Sequence, residues 1–497
     1  MIDLSLILAT APFVLFLILL LGKKMNLLAV SVITLVVILL TQIFYWQILP
    51  IFLLNSIVKG FLVAFDIFII IIGAIFFLEV LMNLKIIENV GIYLESLLGD
   101  YRVQMILLAW FFENFIEGTA GFGTPSTIVA PLLVSLGLSP LKAVIVSLLG
   151  NSTSVAFGAA GTPIRVGFSG LMIEGVPVYT AMFNCVGLLV PVFMLWMVAK
   201  EQKEKGAHFW EALPFALWSG VAFVVPSLIF SFFGQEFPSI LGAVVGLVLV
   251  LITIKLKIFL PKIKRHLREL NRVTVELPKY KMFFPYLGLI VLLVLGKFLL
   301  GSVMINFPWG LKYSFNLFNP GFAFLLAGLP VALFWGNKGL VGRSLNISWS
   351  RTIEPFLVIL SMSTVVQLMI NSGNNYSGNI SSLGVIARSF ETGMLPLLAP
   401  FVGAFGSFIT GSATVSNVMF GSFLNSASKV LGFNSAKILA LELTGAATGN
   451  MIALADVMAA EAVVGLKNKT RFVLRGVIGP CLVILAIVGM IGLLVSK

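Results

Sequence analysis

ENFIEGTAGFGTPSTIVAPLLVSLGLSPLKAVIVSLLGNSTSVAFGAAGTPI, residues 113–164, decides the reading of this chain. An apolar segment breaks at a run of Gly, Thr and Pro, resumes, and breaks again at Gly150-Asn151-Ser152-Thr153-Ser154. In lipid an unpaired backbone N–H or C=O costs several kcal/mol, so broken backbone persists only where it is buried in protein or lines a cavity. Two breaks rich in hydroxyls and free N–H groups suit the stripping of water from a small solute. The stretch points to a carrier.

Composition sets the class. Of the 497 residues, 59% are hydrophobic and 10% charged, where a soluble domain carries roughly 25% charged residues. Apolar runs of the length that spans a bilayer, about 20 residues, recur from end to end. The chain therefore reads as an all-α polytopic membrane protein embedded in the lipid bilayer of the cell membrane. The segment MIDLSLILATAPFVLFLILLLGKK starts acidic and carries Lys23-Lys24 after its apolar run. That order describes a first helix with its N-terminus outside, not a signal peptide.

Cys185 and Cys481 sit in separate apolar runs and suggest neither a disulfide framework nor a metal site. His208 and His266 alone make no His-rich metal centre, and no cofactor is implied. The net charge of +12 comes largely from one segment: nine basic residues lie between Lys255 and Lys281, against Glu269 and Glu276. This is the pattern of a cytoplasmic loop under the positive-inside bias, with some attraction to anionic headgroups, and not of a nucleic-acid site.

Placing the 261–281 loop in the cytoplasm orients the rest by alternation. Spans at 4–21, 25–43, 60–82, 177–199, 212–233, 238–260, 282–300, 320–336 and 352–370 then leave Lys200, Lys203, Lys205, Lys338, Arg343, Arg351, Lys467, Lys469, Arg471 and Arg475 inside. The polar 371–395 stretch falls outside. About 12–14 membrane elements result. The N-terminal half is 1–260, with a core at 103–164; the C-terminal half is 282–497, with a core at 396–466.

These two cores resemble each other. Phe115-Ile116-Glu117-Gly118-Thr119-Ala120 matches Phe408-Ile409-Thr410-Gly411-Ser412-Ala413, LGLSPLKAV (136–144) matches LGFNSAKIL (431–439), and Gly150 and Thr153 match Gly445 and Thr448. Small-residue bias makes any single match cheap, but matching order and a near-constant separation, 293 residues and then 295, argue against chance. The cores run in opposite directions, so they read as inverted repeats with broken, re-entrant helices and a substrate site near the midplane.

Gly118, Gly121 and Gly123 permit unusual backbone geometry and close approach to a ligand. Pro125 suits the first turn of the resumed helix, and Ser139-Pro140 reads as an N-cap followed by proline, with Asn434 as counterpart. Helix N-termini carry unsatisfied N–H groups and partial positive charge, which suit a carboxylate. Tight packing explains the small residues equally well, but not the clustered Thr119, Thr124, Asn151, Ser152 and Thr153. These residues, with Ser412, Asn417, Thr448 and Asn450 of the second core, are the expected substrate-binding set.

Asp66, Glu79, Glu113, Glu117, Lys297, Glu354, Glu442, Asp456 and Glu461 lie within apolar runs, where charge costs about 2.5–3.5 kcal/mol. Glu117 immediately precedes the glycine break. Ionised, it repels an incoming carboxylate; protonated first, it links one proton to one anion. Glu117 is thus the leading proton-coupling candidate, ahead of Glu442 and Asp456. Lys142 and Lys437 occupy matching positions and fit interfacial anchors, while Arg165 follows the Gly-Thr-Pro that ends the first core.

FIEGTAGFGTPSTIVAPLLVSLGLSPLKA, NSTSVAFGAAGTPI, FITGSATVSNVMFGSF and TGNMIALADVMAAEAVVGL together resemble the lactate permease family of bacterial and archaeal carriers. The resemblance implies proton-linked symport of L-lactate, with D-lactate and glycolate as further small 2-hydroxy monocarboxylate substrates. A sodium-coupled carboxylate carrier would use the same fold, and an ion channel or antiporter is a second class. The chain has no HExxH and no GxSxG, so an intramembrane hydrolase is not supported. The sequence sets no oligomeric state.

Overall fold

The computed structural model describes every residue except 1–3, 22–24, 98, 122, 170, 172, 201–204, 268–275, 390–392, 468 and 497. Lys23, Lys24, Lys203, Arg268, Glu269 and Arg272, which entered the charge argument, lie outside the described residues.

Helices α1 (Leu4–Leu21), α2 (Leu27–Phe44) and α3 (Pro50–Asn83) lead to α4 (Ile86–Ser96). Residues 101–119 form one helical run in three parts: α5 (Tyr101–Ile106), a π-helical stretch (Leu107–Phe112) and α6 (Glu113–Thr119). Beyond the first break come α7 (Thr124–Ser135), α8 (Pro140–Gly150), a 3-10 turn (Ser154–Phe157) and α9 (Gly158–Gly167). α10 (Val176–Phe183), α11 (Val190–Ala199), α12 (Lys205–Ser231) and α13 (Pro238–Lys255) complete the first half.

The second half holds α14 (Lys279–Leu299), a hairpin of β1 (Ser302–Asn306) and β2 (Lys312–Asn316), α15 (Pro320–Trp335) and α16 (Lys338–Asn371). It continues through α17 (Ser382–Ser389), α18 (Leu395–Thr410), α19 (Ala413–Val430), α20 (Ser435–Asn450), α21 (Leu454–Val463) and α22 (Thr470–Val495). Among the described residues, nine helical spans are long and apolar enough to cross a membrane. A tenth is broken: α8 and the run from Ser154 to Gly167 meet at 51°. The chain is an all-α polytopic membrane protein.

Most expected spans coincide with helices, but two are longer than hydropathy suggested. α3 and α16 each hold 34 residues and pack along one another. At 1.5 Å per residue each runs about 51 Å, well beyond a hydrocarbon core of about 30 Å. Lys338, Arg343 and Arg351, read as loop residues, therefore stand on a helix. Asn337 starts it by accepting from the Leu340 amide at 2.8 Å, and polar side chains do not interrupt backbone bonds satisfied within the helix. Arg351 Nη1 donates to Glu79 Oε1 at 2.6 Å, tying α16 to the far end of α3.

The molecule has two distinct ends. One carries the β1–β2 hairpin, in register from Ser302↔Asn316 to Asn306↔Lys312. Trp46 Nε1 donates to Ile380 O at this end (3.0 Å), joining the α2–α3 turn to the polar 372–381 loop. Strand β1 is exposed throughout, which is why no alternation announced it. At the opposite end the basic loop is pinned by a buried ion network. Arg102, fully buried, donates to Asp100 Oδ2 (2.7 Å), Glu211 Oε2 (3.1 Å) and Ile263 O (2.9 Å).

The two cores use the same device with different spacing. α6 gives way to α7 across Ala120–Gly123, and α18 gives way to α19 across Gly411–Ser412. The second break is shorter, but α19 has 18 residues against 12 in α7. α18 also ends two residues before Ser412, the match of Thr119, and together these differences leave the two-residue change in offset between the sequences.

Candidate functional site

The breaks of both cores meet at one cavity. It is small, about 30 Å³ in volume, and partly open to its surroundings. The first half supplies Glu117 from α6, Gly121 and Gly123 from the break, and Val155, Gly158, Ala159, Thr162 and Pro163. The second half supplies Gly411, Ser412, Ala413, Thr414 and Asn450. The wall is thus built from residues far apart in sequence.

Local sequence explains why the backbone opens here. Gly123, at φ +72°, caps α7 in a left-handed conformation that favours glycine. Ser412 caps α19 with its side chain, accepting from Val415 N at 3.3 Å. Between the 3-10 turn and the rest of α9, Ala159, Ala160 and Gly161 are all left-handed, at φ 41°, 52° and 80°. An alanine in that region costs about 1–2 kcal/mol, so two in sequence are held by their surroundings. Thr162 Oγ1 donates to Ala159 O at 2.6 Å, closing this turn.

Three helix starts therefore border the cavity: α7 after Gly123, the right-handed part of α9 from Thr162, and α19 from Ala413. The first N–H groups of a helix have no partner within it and carry the positive end of its dipole. Converging starts favour an anion.

Of two carboxylates at the site, Glu117 lines the cavity, while Asp456 stands behind its wall, against Gly123 and Asn450. Glu117, 3% exposed, lies with its Oε1 against Gly158, while its buried Oε2 has no hydrogen-bond partner. Asp456, in the first turn of α21, receives Asn450 Nδ2 at 2.7 Å. A β-carbon on Gly158 would collide with Glu117 Oε1. Both acids are therefore packed onto backbone that has no room for a side chain.

Glu442 and Glu113 form another kind of contact. Glu113 Oε1 accepts from Ser126 (2.8 Å) and Ser147 (2.7 Å), linking α6, α7 and α8. Glu442 Oε1 accepts from Ser416 (3.1 Å), linking α20 to α19. Neither glutamate lines the cavity. Each sits where the helices of its own core pack together.

Of the expected substrate residues, Gly121, Gly123, Ser412 and Asn450 line the cavity. Gly118 packs on Ile240 and Ser239. Thr119, Thr124, Ser152 and Thr448 direct their hydroxyls to Phe115, Gly121, Leu149 and Thr444 carbonyls, at 3.1, 2.8, 2.7 and 2.8 Å. Asn151 is buried away from the cavity wall, and Thr153 lies against Gly187. Asn417 Nδ2 donates to Pro163 O at 2.8 Å, bracing α9 from α19. Residues not foreseen are Val155, Gly158, Ala159, Thr162, Pro163, Gly411, Ala413 and Thr414. The GAAGTP run at 158–163 carries a signal of its own in its glycines and proline, but five of its six residues are small or apolar and offer no side-chain ligand.

The matching lysines point to helix ends. Lys142 Nζ donates to Val198 O (3.3 Å), near the end of α11, and Lys437 Nζ donates to Val495 O, the last residue of α22. Cations suit the negative end of a helix dipole. Arg165 reaches Asp66 instead, with Nε to Oδ2 at 2.8 Å. Tyr313 of the hairpin lies beside this pair; burial, then the Asp66 carboxylate, push its phenol up to about 12 against the opposing pull of Arg165.

The family model described as L-lactate permease matches residues 5–307 and 300–497. A putative L-lactate permease of Haemophilus influenzae is 29% identical over 434 residues, covering 79% of each chain. The L-lactate permease of Escherichia coli K12 is 28% identical, covering 88% of this chain and 86% of its own. The glycolate permease GlcA of the same organism is 26% identical, covering 80% and 79%.

Proposed function

The chain belongs to the L-lactate permease family, and from that membership we propose that it is a secondary active carrier for L-lactate, D-lactate and glycolate, coupled to protons. It is a multi-pass membrane permease and not an enzyme. The observation that carries the substrate reading is the meeting of three helix starts with Glu117 at one cavity.

In this reading the substrate carboxylate lies toward the starts of α7, α9 and α19, where the positive ends of the helix dipoles stabilise negative charge. The 2-hydroxyl lies toward Asn450 and Thr414, both on the cavity wall. Glu117 binds the proton. Ionised, it repels the carboxylate; protonated, it can donate to it, so proton and anion bind together. Asp456 stands behind the cavity wall at Gly123 and Asn450, a second acid from the other half of the chain. The cores act as inverted repeats that rock about this cavity, with the basic loop cytoplasmic and the N-terminus outside.

Uptake of labelled L-lactate by proteoliposomes in sodium-free medium, under an inside-alkaline pH gradient, tests the reading. Accumulation above the external level, inhibited by D-lactate and glycolate, is expected. A second reading, sodium coupling, rests on the C-terminal ends of α18 and α20, which reach the same cavity at Gly411 and Asn450. Uptake that needs Na⁺ would favour it. Flux without accumulation or counterflow would indicate a channel.

A further inference from the structure

Arg165 stands three residues beyond Thr162 on α9, so the two share a helix face about one turn apart, roughly 5 Å along the axis. Thr162 lines the cavity. A solute moving along that face toward the hairpin end next meets the guanidinium.

The surroundings of Arg165 are built for a carboxylate. Nε donates to Asp66 Oδ2 at 2.8 Å and Nη2 to Asp66 Oδ1 at 3.4 Å, a forked contact across α3 and α9. Nη2 also donates to Phe318 O at 2.8 Å. Asp66 has independent support, because Asn319 Nδ2 donates to its Oδ1 and to its backbone carbonyl, both at 2.9 Å. If another carboxylate took the fork, Arg165 would keep Phe318 and Asp66 would keep Asn319. The exchange replaces one carboxylate by another without leaving either partner bare.

We propose that Arg165 is a second substrate-carboxylate site, one helix turn from the cavity toward the hairpin end, where Asp66 competes with substrate for the guanidinium. This rests on the carrier reading above. Substrate then passes between two anion sites along α9, and Asp66 closes the Arg165 site behind it.

The test is uptake kinetics in proteoliposomes for the unaltered chain, R165Q, D66N and the exchanged pair D66R/R165D. If the unaltered chain takes up no short 2-hydroxy monocarboxylate, the carrier reading fails and this inference falls with it. With uptake established, the variants decide. R165Q should raise KM about tenfold or more, as loss of a charge-assisted hydrogen bond requires, with a smaller change in maximal rate. D66N should lower KM, because the competitor has lost its charge, and the exchanged pair should keep the high KM of R165Q. A structural strut gives the opposite: the exchanged pair restores wild-type KM and rate, and D66N loses transport as R165Q does. Either of those results overturns the proposal. Where the exchanged pair does not assemble, the direction of the KM change in D66N decides.

Discussion

Asp456 and Gly123 touch across the two halves of the chain: a β-carbon on Gly123 would collide with Asp456 Oδ1. The acid of the second half thus closes directly onto the backbone break of the first. On the other wall Glu117 Oε1 lies against Gly158 in the same manner.

Gly123→Ala and Gly158→Ala should each cut uptake at least about tenfold, since the added carbon must displace a carboxylate and, at Gly123, occupy φ +72° at a cost of about 1–2 kcal/mol. Gly432→Ala is the matched control. It has the same φ of +72° but nothing within 4 Å of the new carbon. Initial rates of labelled uptake separate the two. Equal rates in G123A and G432A would mean that strain alone, and not the cavity, sets the loss.

Asn450 faces the cavity and donates to Asp456 Oδ2 at 2.7 Å. Asn450→Asp puts a second carboxylate against the first, and two adjacent acids cannot both ionise cheaply. Uptake should fall at neutral pH. As external pH drops, one acid of the pair takes up a proton and the repulsion ends, so the ratio of N450D rate to wild-type rate should rise. A ratio independent of pH would remove Asp456 from the site.

Lys142→Met and Lys437→Met should leave KM for L-lactate unchanged, because both ammonium groups serve helix carbonyls at Val198 and Val495. Each should lower thermal stability slightly, in line with about 0.3–1 kcal/mol for a cation at a helix C-terminus. Melting curves and uptake kinetics check this together. A tenfold rise in KM would instead bring the lysine to the substrate.

The breaks were legible because glycine, proline and capping hydroxyls are what a chain needs to leave and re-enter a helix. Gly121, Gly123 and Ser412 follow from that rule, and all three line the cavity. Ala159 and Ala160 contradict it, since alanine favours a right-handed helix; only tertiary packing holds them left-handed. Thr119 and Thr448 illustrate the opposite failure. Hydroxyls in helices readily turn back to the preceding turn, so a cluster of threonines overstates the number of groups available to a ligand. The π-helical stretch 107–112 is wholly apolar and carries no signal of its own. Asp66 and Arg165 are 99 residues apart, a pairing that no local pattern announces.

Proton coupling at Glu117 is tested most directly by Glu117→Gln in proteoliposomes, comparing accumulation driven by a pH gradient with exchange of labelled for unlabelled L-lactate. Glutamine keeps the shape and a donor but cannot cycle a proton. Accumulation should be abolished while exchange continues at a rate comparable to the unaltered chain. Undiminished accumulation under the pH gradient in Glu117→Gln would contradict the assignment.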